Sequence, residues 1–394
     1  MNKFAAWPQV AASFIAYPFR LYFLLSAFSI VPLAWVWTFT SVGWWPPAVA
    51  PVDFHAYGFL NIVGGAAFAG FLFTAMPEWT HHTRNLSRHA AATAVLWLPA
   101  TLSALFSPTL SAWLMLPFWL YLLGFCTVLA RRARDDSQVA LLLVLICITL
   151  LNTCFAYTGQ LFWLKQLAHA FIIGVLLVMF RIGKAIGQKA LEDTPLAHCV
   201  FIPNPFYRNL SVWFLYAYLA ANIFLNDTAT SSWLSLAVGL AVLGRLREWH
   251  HTVLLRRYYV RWYYLTLLLL GAGYIWQGWA GLFSDGLSLP FHLLMIGGYL
   301  LMLMQVFSIA GAVHSSLKLH YPFASRAGLL LITGAALSRS AAAAYWPQYY
   351  EWLAFYLPAV LLSLAFMLYL PVYLRIFIAN PPLPVTPAGT ESQP

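Results

Sequence analysis

Three histidines in this sequence are placed as ligands of a membrane-embedded metal site would be. His55, His169 and His292 each lie in or near the first half of a long apolar segment. Ionisable side chains are costly at membrane depth, so they usually face a bundle interior or a polar cavity and have a partner there. Imidazole binds iron and copper. These residues are therefore candidate ligands of a metal or metal-containing cofactor, and their alternative role is that of hydrogen-bonded polar groups near the membrane interface.

A short pattern repeats after the second and third of these histidines. Glycine follows at the fifth position and methionine at the tenth in both cases. These residues are Gly174 and Met179 after His169, and Gly297 and Met302 after His292. After His55 only Gly65, at the tenth position, is comparable. The repeat suggests three four-helix units, each of which presents one histidine from its second helix.

Basic and sulfur-containing side chains accompany the histidines. Lys165 precedes His169 by one helical turn, and Arg339 lies well inside a later apolar segment. Because Arg and Lys pair with the propionate groups of haem, cations beside imidazoles favour a haem site. Met295 and Met302 share a helix face with the third histidine and are candidate copper ligands, with packing as their alternative role. The four cysteines form no C-x-x-C-H motif, so any haem would be held non-covalently.

The composition identifies the solvent of these segments as lipid. Of the 394 residues, 62% are hydrophobic and only 8% are charged, which excludes a soluble globular domain. Aromatic residues make up 17%, as expected for helices that end in two membrane interfaces. The sequence predicts an all-α polytopic membrane bundle of about twelve transmembrane helices. Their predicted ranges are 19–42, 54–77, 89–107, 109–130, 138–157, 160–182, 209–226, 230–245, 262–282, 289–313, 327–346 and 351–379.

The basic residues alternate between connections and give the helices a direction. The odd-numbered connections Gly43–Val52, Asn226–Ser232 and Phe283–Ser288 contain no lysine or arginine, whereas the even-numbered ones do. The basic connections carry Arg84 and Arg88; Arg131, Arg132 and Arg134; Lys184 and Lys189; Arg245 to Arg261; and Lys318 and Arg326. Because basic connections stay in the cytoplasm, both termini are predicted to be cytoplasmic. The net charge of +10 therefore reflects topology and not nucleic-acid binding.

This direction places His55, His169 and His292 on the outer side of the bundle. The remaining histidines fall at cytoplasmic ends or in loops: His81, His82, His89, His198, His250, His251, His314 and His320. Residues 1–380 are predicted to form a single transmembrane domain, and the Pro-rich residues 381–394 a disordered cytoplasmic tail. Since no connection is long enough for a soluble domain, the function is expected within the bundle.

Several segments resemble the NnrS family, bacterial membrane proteins described as containing haem and copper and associated with tolerance of nitric oxide. His55–Gly58 (HAYG) and Gly70–Thr80 (GFLFTAMPEWT) are similar to a family pattern that reads H-A-H-E-M and later G-F-L-L-T-A-x-P-x-W-T. Tyr17–Leu24 (YPFRLYFL) resembles the family's F-R-P-F-F-L opening, and Arg181–Ile186 (RIGKAI) resembles its G-G-R-I-I-P-A-F less closely. The resemblance spans nearly the whole chain.

The predicted tenth helix carries a second match. The family has a histidine, a glycine and a methionine there, followed by a G-H-T-G-R end; the corresponding residues are His292, Gly297, Met302 and His314. The resemblance thus adds His314 to the candidate metal ligands, and Arg339 falls where the family carries an arginine. The chain departs from the family where Tyr57 and Gly58 replace a His and a Glu, and where Gly271 stands in place of a further His.

The resemblance implies a haem b protein of the bacterial inner membrane that handles nitric oxide, a small gaseous ligand, or nitrosative stress. His169 and His292 are the leading candidates for its iron ligands or metal-site residues, and His55 is a third candidate. Copper is implied as a second cofactor, and the departures from the family affect copper most. Three four-helix units also resemble the catalytic subunit of haem-copper oxidases, at the level of the fold. The segment Leu210–Phe224 has no His-His pair, so an oxygen-reducing binuclear centre is not expected.

The alternatives are a membrane transporter or a metal or haem assembly factor, a redox subunit of the haem-copper oxidase type, and a structural subunit of a partner oxidoreductase. The residues are compatible with a nitric-oxide-related oxidoreductase as well as with a protein that binds nitric oxide without turnover. The sequence points to no particular electron donor.

Overall fold

The computed structural model describes residues 7–46, 51–81, 85–133, 138–192, 194–225, 227–284, 288–319 and 321–380. Over these ranges the chain is helical and has no strand. The predicted tail at 381–394 lies outside the described residues. So do His82, Arg84, Arg134, Asn226 and His320.

The described chain forms thirteen main helices, of which the first is a short one before the predicted spans. They are α1 (Trp7–Ala16), α2 (Pro18–Ser41), α3 (Pro51–Trp79), α4 (Ser87–Ser103), α5 (Pro108–Ala133), α6 (Val139–Thr158), α7 (Leu161–Glu192), α8 (Pro205–Phe224), α9 (Thr228–Glu248), α10 (Tyr258–Phe283), α11 (Ser288–Val313), α12 (Phe323–Tyr345) and α13 (Trp352–Ala379). Each of the twelve predicted spans coincides with one of the helices α2 to α13. Short helical turns at Thr252–Leu255 and Pro347–Tyr349 connect neighbouring helices.

Among the described helices, ten are long and apolar enough to cross a membrane. The exceptions within α2 to α13 are α4, which has 17 residues, and α8. Apolar helices satisfy every backbone hydrogen bond internally, which is the condition for spanning lipid. The chain is therefore a multi-pass membrane protein with a helical bundle fold, as predicted.

Helices α3, α7 and α11 form the centre of the bundle. In their most apolar stretches 83%, 67% and 83% of the residues are buried inside the protein, against 39–50% in the other spans. A Cβ atom added to Gly64 of α3 would collide with Phe171 of α7 and Tyr299 of α11, so glycine allows the three helices to meet. Small residues have this role in membranes because close backbone approach gains van der Waals contact.

The other spans surround this centre in chain order. Helices α2 to α5, α6 to α9 and α10 to α13 make three groups of four, and the second helix of each group is central. The groups join where α5 packs on α6, α9 on α10 and α13 on α2. At the α9–α10 junction a Cβ on Gly239 would lie 2.7 Å from the Gly271 carbonyl oxygen and 2.8 Å from the Ile275 nitrogen. The arrangement agrees with the three four-helix units expected from the histidine repeat.

Candidate functional site

The imidazoles of His55 and His292 approach each other at the end of the bundle where α3, α7 and α11 begin, which we call the histidine end. Each lies in the first two described turns of its helix, α3 and α11 respectively. Their ring centroids are 6.2 Å apart and the ring planes are inclined by 22°. The indole of Trp37, from α2, stacks on His55 at 4.3 Å with an angle of 23°. Three helices thus hold one pair of imidazoles.

Hydrogen bonding distinguishes the two imidazoles. Nδ1 of His292 lies 2.6 Å from the carbonyl oxygen of Ser288, one turn earlier in α11. Because a carbonyl only accepts, Nδ1 carries the proton, and in the neutral ring Nε2 keeps its lone pair. This is how metal-binding histidines are commonly oriented. Nδ1 of His55 is buried without a hydrogen-bond partner among the described residues, an arrangement that costs about 1–3 kcal/mol unless a ligand satisfies the atom.

A buried arginine of α12 lies beside the two imidazoles. Arg339 is only 5% exposed, and its Nη1 donates to the hydroxyl of Tyr350 at 3.3 Å. The guanidinium lies 5.6 Å from the ring centroid of Phe355, which in turn packs edge-on against Trp37 at 5.9 Å. Its positive charge acts on both imidazoles. No carboxylate pairs with it in the part of the chain that the structure describes.

We refer to His55, His292, Trp37, Arg339 and Phe355 as the His55–His292 site. Every π-helical segment in the described chain borders this site: Gly58–Gly64 after His55, Leu293–Leu300 after His292, Ser338–Ala342 around Arg339, and Trp352–Tyr356 around Phe355. π-Helical turns are rare and are frequent at functional sites, where they re-aim side chains. Their concentration here singles out this end of the bundle.

His169 lies in a separate, fully packed environment. It is the ninth residue of α7 and is 2% exposed. Its Nδ1 is 2.9 Å from the hydroxyl of Tyr274 in α10, and the ring of Tyr218 packs edge-on at 4.9 Å. The ring of Phe291 contacts His169 at 5.8 Å and His292 at 6.4 Å, so it stands between the two sites.

The remaining predicted site residues are spread along the bundle. Lys165, one turn before His169, is exposed. Met295 is half-buried and follows His292 within the π segment, whereas Met302 is 1% exposed and lines an apolar void of about 20 Å³ between the central helices. His314 follows the last residue of α11, and at 1.5 Å per residue it lies about 33 Å from the fifth residue of that helix.

The position of His314 separates it from the His55–His292 site. Its ring packs against Phe19 at 5.5 Å. Burial lowers the pKa of the His314 imidazole, while the nearby Glu78 raises it. It is therefore available only for chemistry at the opposite end of the bundle.

Where this chain departs from the family pattern, its residues make packing contacts with neighbouring helices. Tyr57 is fully buried and its hydroxyl is hydrogen-bonded to Ser111 at 2.8 Å. A Cβ on Gly58 would lie 2.7 Å from Leu33, and one on Gly271 would lie 2.6 Å from Leu243. Gly271 therefore faces α9 and not the histidines, so its position has no room for a histidine side chain.

Several residues of the site were not anticipated from the sequence. Trp37, Phe355 and the Ser288 carbonyl belong to the His55–His292 site, and Tyr274 is the hydrogen-bond partner of His169. Their helices are far apart in the chain, so helical spacing gives no signal for them. The available signal was the density of tryptophan and tyrosine at the helix ends.

The donor set suits a cofactor that brings its own additional ligands. No group of three or more His, Cys, Asp or Glu side chains that could hold a bare metal ion is found among the described residues. Two imidazoles beside a buried cation instead match haem, whose porphyrin supplies four nitrogen ligands and whose propionates pair with arginine.

Comparison with known proteins identifies the family. None of the curated proteins with which the chain was compared matches it. The family model described as NnrS protein matches residues 13–380, a range that includes both imidazoles of the pair, His169 and Arg339. Because this match covers nearly the whole chain, the protein belongs to the NnrS family.

Proposed function

We propose that this protein is a haem-binding protein of the bacterial inner membrane that handles nitric oxide or nitrosative stress. The observation that carries the proposal is the His55–His292 pair, with the unpaired His55 nitrogen and the Arg339 guanidinium beside it. Family membership supports an association with nitric oxide. The basic connections support an orientation in which the histidine end faces outward.

The residues that would hold the haem are His55 and His292 as iron ligands and Arg339 as the partner of a propionate. Ser288 would keep the proton of His292 on Nδ1, so that Nε2 is presented to the metal. Trp37 and Phe355 would exclude water from the imidazoles. When bound, haem iron would supply one-electron transfer, and it would bind nitric oxide only if the ligand displaces one of the two imidazoles, because these and the four porphyrin nitrogens fill its coordination positions.

The surroundings of His169 do not fit copper, the second cofactor that the family resemblance implies, because its ring is packed among aromatic side chains and no group of three candidate metal ligands is found among the described residues. The hydrogen bond between His169 and the hydroxyl of Tyr274 fixes the orientation of the His169 ring. Lys165 adds a positive charge one turn nearer the histidine end.

An absorption spectrum of the full-length protein, purified in detergent from haem-replete cells, tests the proposal. We expect a Soret band with b-type features that shifts when nitric oxide is added. The band should be lost in His55→Ala and in His292→Ala, whereas His250→Ala, an exposed histidine at the opposite end of the bundle, should leave it unchanged. A colourless, metal-free preparation would refute the proposal and favour the transporter or assembly-factor alternative, which transport assays in proteoliposomes would then examine.

A further inference from the structure

Two arginines from different helices pack on α7 toward the end of the bundle opposite the histidine end. Arg245 begins the 3₁₀ turn that closes α9, and Arg208 lies in the first turn of α8. Nη1 of Arg245 donates to the carbonyl oxygen of Leu176 at 3.4 Å. The guanidinium of Arg208 lies 4.7 Å from the ring centroid of Phe180, one turn further along α7. We call Arg208 and Arg245 the arginine pair.

The arginine pair holds two positive charges close together. Arg245 is only 1% exposed, and its second hydrogen bond, from Nη2 to the hydroxyl of Tyr263, is long at 3.5 Å. Its charge acts on Arg208 and on Glu248, which ends the same 3₁₀ turn. Glu248 accepts a hydrogen bond from the backbone nitrogen of Asn204. Neither arginine forms an ion pair with a carboxylate of the described residues, so one positive charge remains unbalanced even when Glu248 is ionised.

This arrangement suits a phosphate group. A buried guanidinium bonded only to neutral oxygens is costly, because such oxygens do not offset the desolvation of its charge. Arginine binds phosphate oxygens through strong charge-assisted hydrogen bonds, because its planar fork presents several donors at once. A monoanionic phosphate bound to both Arg208 and Arg245 would offset the unbalanced charge and the repulsion between the two guanidinium groups.

The surroundings of the arginine pair favour a phosphate that is attached to a lipid. Phe206 and Trp213 are 61% and 68% exposed, and their spacing of two helical turns places them on one face of α8. An exposed aromatic face on a membrane helix meets the bilayer. Since Arg208 belongs to the turn at which this face begins, a lipid phosphate at Arg208 would place an acyl chain along Phe206 and Trp213. Free phosphate has no apolar part to bury there.

We propose that Arg208 and Arg245 bind the phosphate of an anionic phospholipid such as phosphatidylglycerol. Basic pockets between transmembrane helices suit anionic headgroups. Phosphatidylethanolamine also has a phosphate, but its ammonium group would be repelled by the exposed Arg247 and Arg256, which follow Arg245 in the chain. The bound lipid would join the ends of α7, α8 and α9 and stabilise their packing.

Native mass spectrometry of the full-length protein in detergent, titrated with dioleoyl phosphatidylglycerol, tests the proposal. We expect one lipid to bind more tightly than any other, and about fivefold to tenfold weaker binding of that lipid in Arg208→Gln. Arg375→Gln is the matched control, because it removes the same charge from an exposed position near the end of α13, and it should bind the lipid as the wild type does. Dioleoyl phosphatidylcholine and inorganic phosphate should each bind at least about tenfold more weakly than phosphatidylglycerol.

Thermal melting distinguishes loss of the lipid from loss of the fold. Phosphatidylglycerol added to delipidated protein should raise the melting temperature of the wild type and of Arg375→Gln, and should raise that of Arg208→Gln less. Without lipid, Arg208→Gln should melt no lower than Arg375→Gln, because it relieves the repulsion between Arg208 and Arg245.

Four results would each overturn the proposal. Phosphatidylcholine that binds as tightly as phosphatidylglycerol would show that the acyl chains alone are recognised, and inorganic phosphate that does so would show a site for the free anion. Equal weakening in Arg208→Gln and Arg375→Gln would show a general effect of surface charge. A lower melting temperature of lipid-free Arg208→Gln would show that Arg208 serves the fold. Neither measurement uses the haem, so the result is independent of the His55–His292 site.

Discussion

The ring centroids of His55 and His292 lie 6.2 Å apart, although the two residues belong to different central helices. Each histidine lies near the start of the described part of its helix, and a π-helical segment follows within three residues. His169 of α7 contacts the ring of Phe291, which also contacts His292. The Phe291 ring thus lies between His169 and the pair.

Replacement of both paired histidines should reveal a single site. If His55 and His292 hold one cofactor, each single alanine variant should contain at least about tenfold less haem per protein than the wild type. The double variant should then contain as much haem as the single variant that contains less. The pyridine haemochrome assay measures the haem content. Independent sites would instead leave about half of the haem in each single variant and none in the double variant, and such a result would contradict the assignment of a shared cofactor.

The α9–α10 junction should be sensitive to a single methyl group. Gly239→Ala places a Cβ within 2.7 Å of the Gly271 carbonyl oxygen, and backbone atoms cannot move aside as a flexible side chain can. We expect a loss of about 1–3 kcal/mol in unfolding free energy, with an unchanged Soret band. Denaturation in mixed detergent monitored by circular dichroism measures it. Gly124→Ala, where a Cβ meets open space, is the control, and equal stability of the two variants would show that the helices can separate.

Most of the bundle could be predicted because lipid imposes a simple rule on the sequence. A span must be apolar for about 20 residues, so hydropathy found all twelve helices, and the histidine repeat found the three that are central. The starts were less accurate. Helix α3 is already helical at Pro51, before the predicted start at residue 54, and proline and Asp53 both suit the first turn of a helix.

The site could be predicted only in part, because its geometry depends on contacts between distant helices. The sequence identified His55, His292 and Arg339 as candidates, and the structure brings them together. Periodicity assumes 3.6 residues per turn, so it cannot anticipate the π segments that follow both histidines. Periodicity also describes each helix separately, so it cannot anticipate that the indole of Trp37 in α2 stacks on His55 in α3.

The histidine end should face the periplasm if the basic connections are cytoplasmic. Green fluorescent protein fused after Asn380 should then fluoresce, and alkaline phosphatase fused at the same residue should be inactive. Phosphatase inserted between Trp44 and Trp45, which are 68% and 53% exposed in the first connection, should be active. The reverse pattern of reporter activity would place the His55–His292 site on the cytoplasmic side.

Arg339 should stabilise bound haem and destabilise the haem-free protein. A buried guanidinium that has no carboxylate partner among the described residues bears a desolvation penalty of several kcal/mol, which an anionic propionate would offset. Arg339→Met should therefore raise the melting temperature of haem-free protein by a few degrees and lower haem affinity by about tenfold. Arg339→Lys keeps the charge and should bind haem more tightly than the Met variant. Thermal melts and haem titration measure the two effects.

The matched control is Arg20, which is fully buried and hydrogen-bonded through both terminal nitrogens at the opposite end of the bundle. Its guanidinium donates to the carbonyl oxygens of Phe377 at 2.9 Å and Asn380 at 2.7 Å, where it caps the last turn of α13. Arg20→Met leaves these contacts unmade and should lower the melting temperature with no effect on haem affinity. If Arg339→Met raises the melting temperature and Arg20→Met lowers it, the charge of Arg339 serves to bind a ligand. If Arg339→Met also lowers the melting temperature of haem-free protein and leaves haem affinity unchanged, then Arg339 serves the fold and not the cofactor.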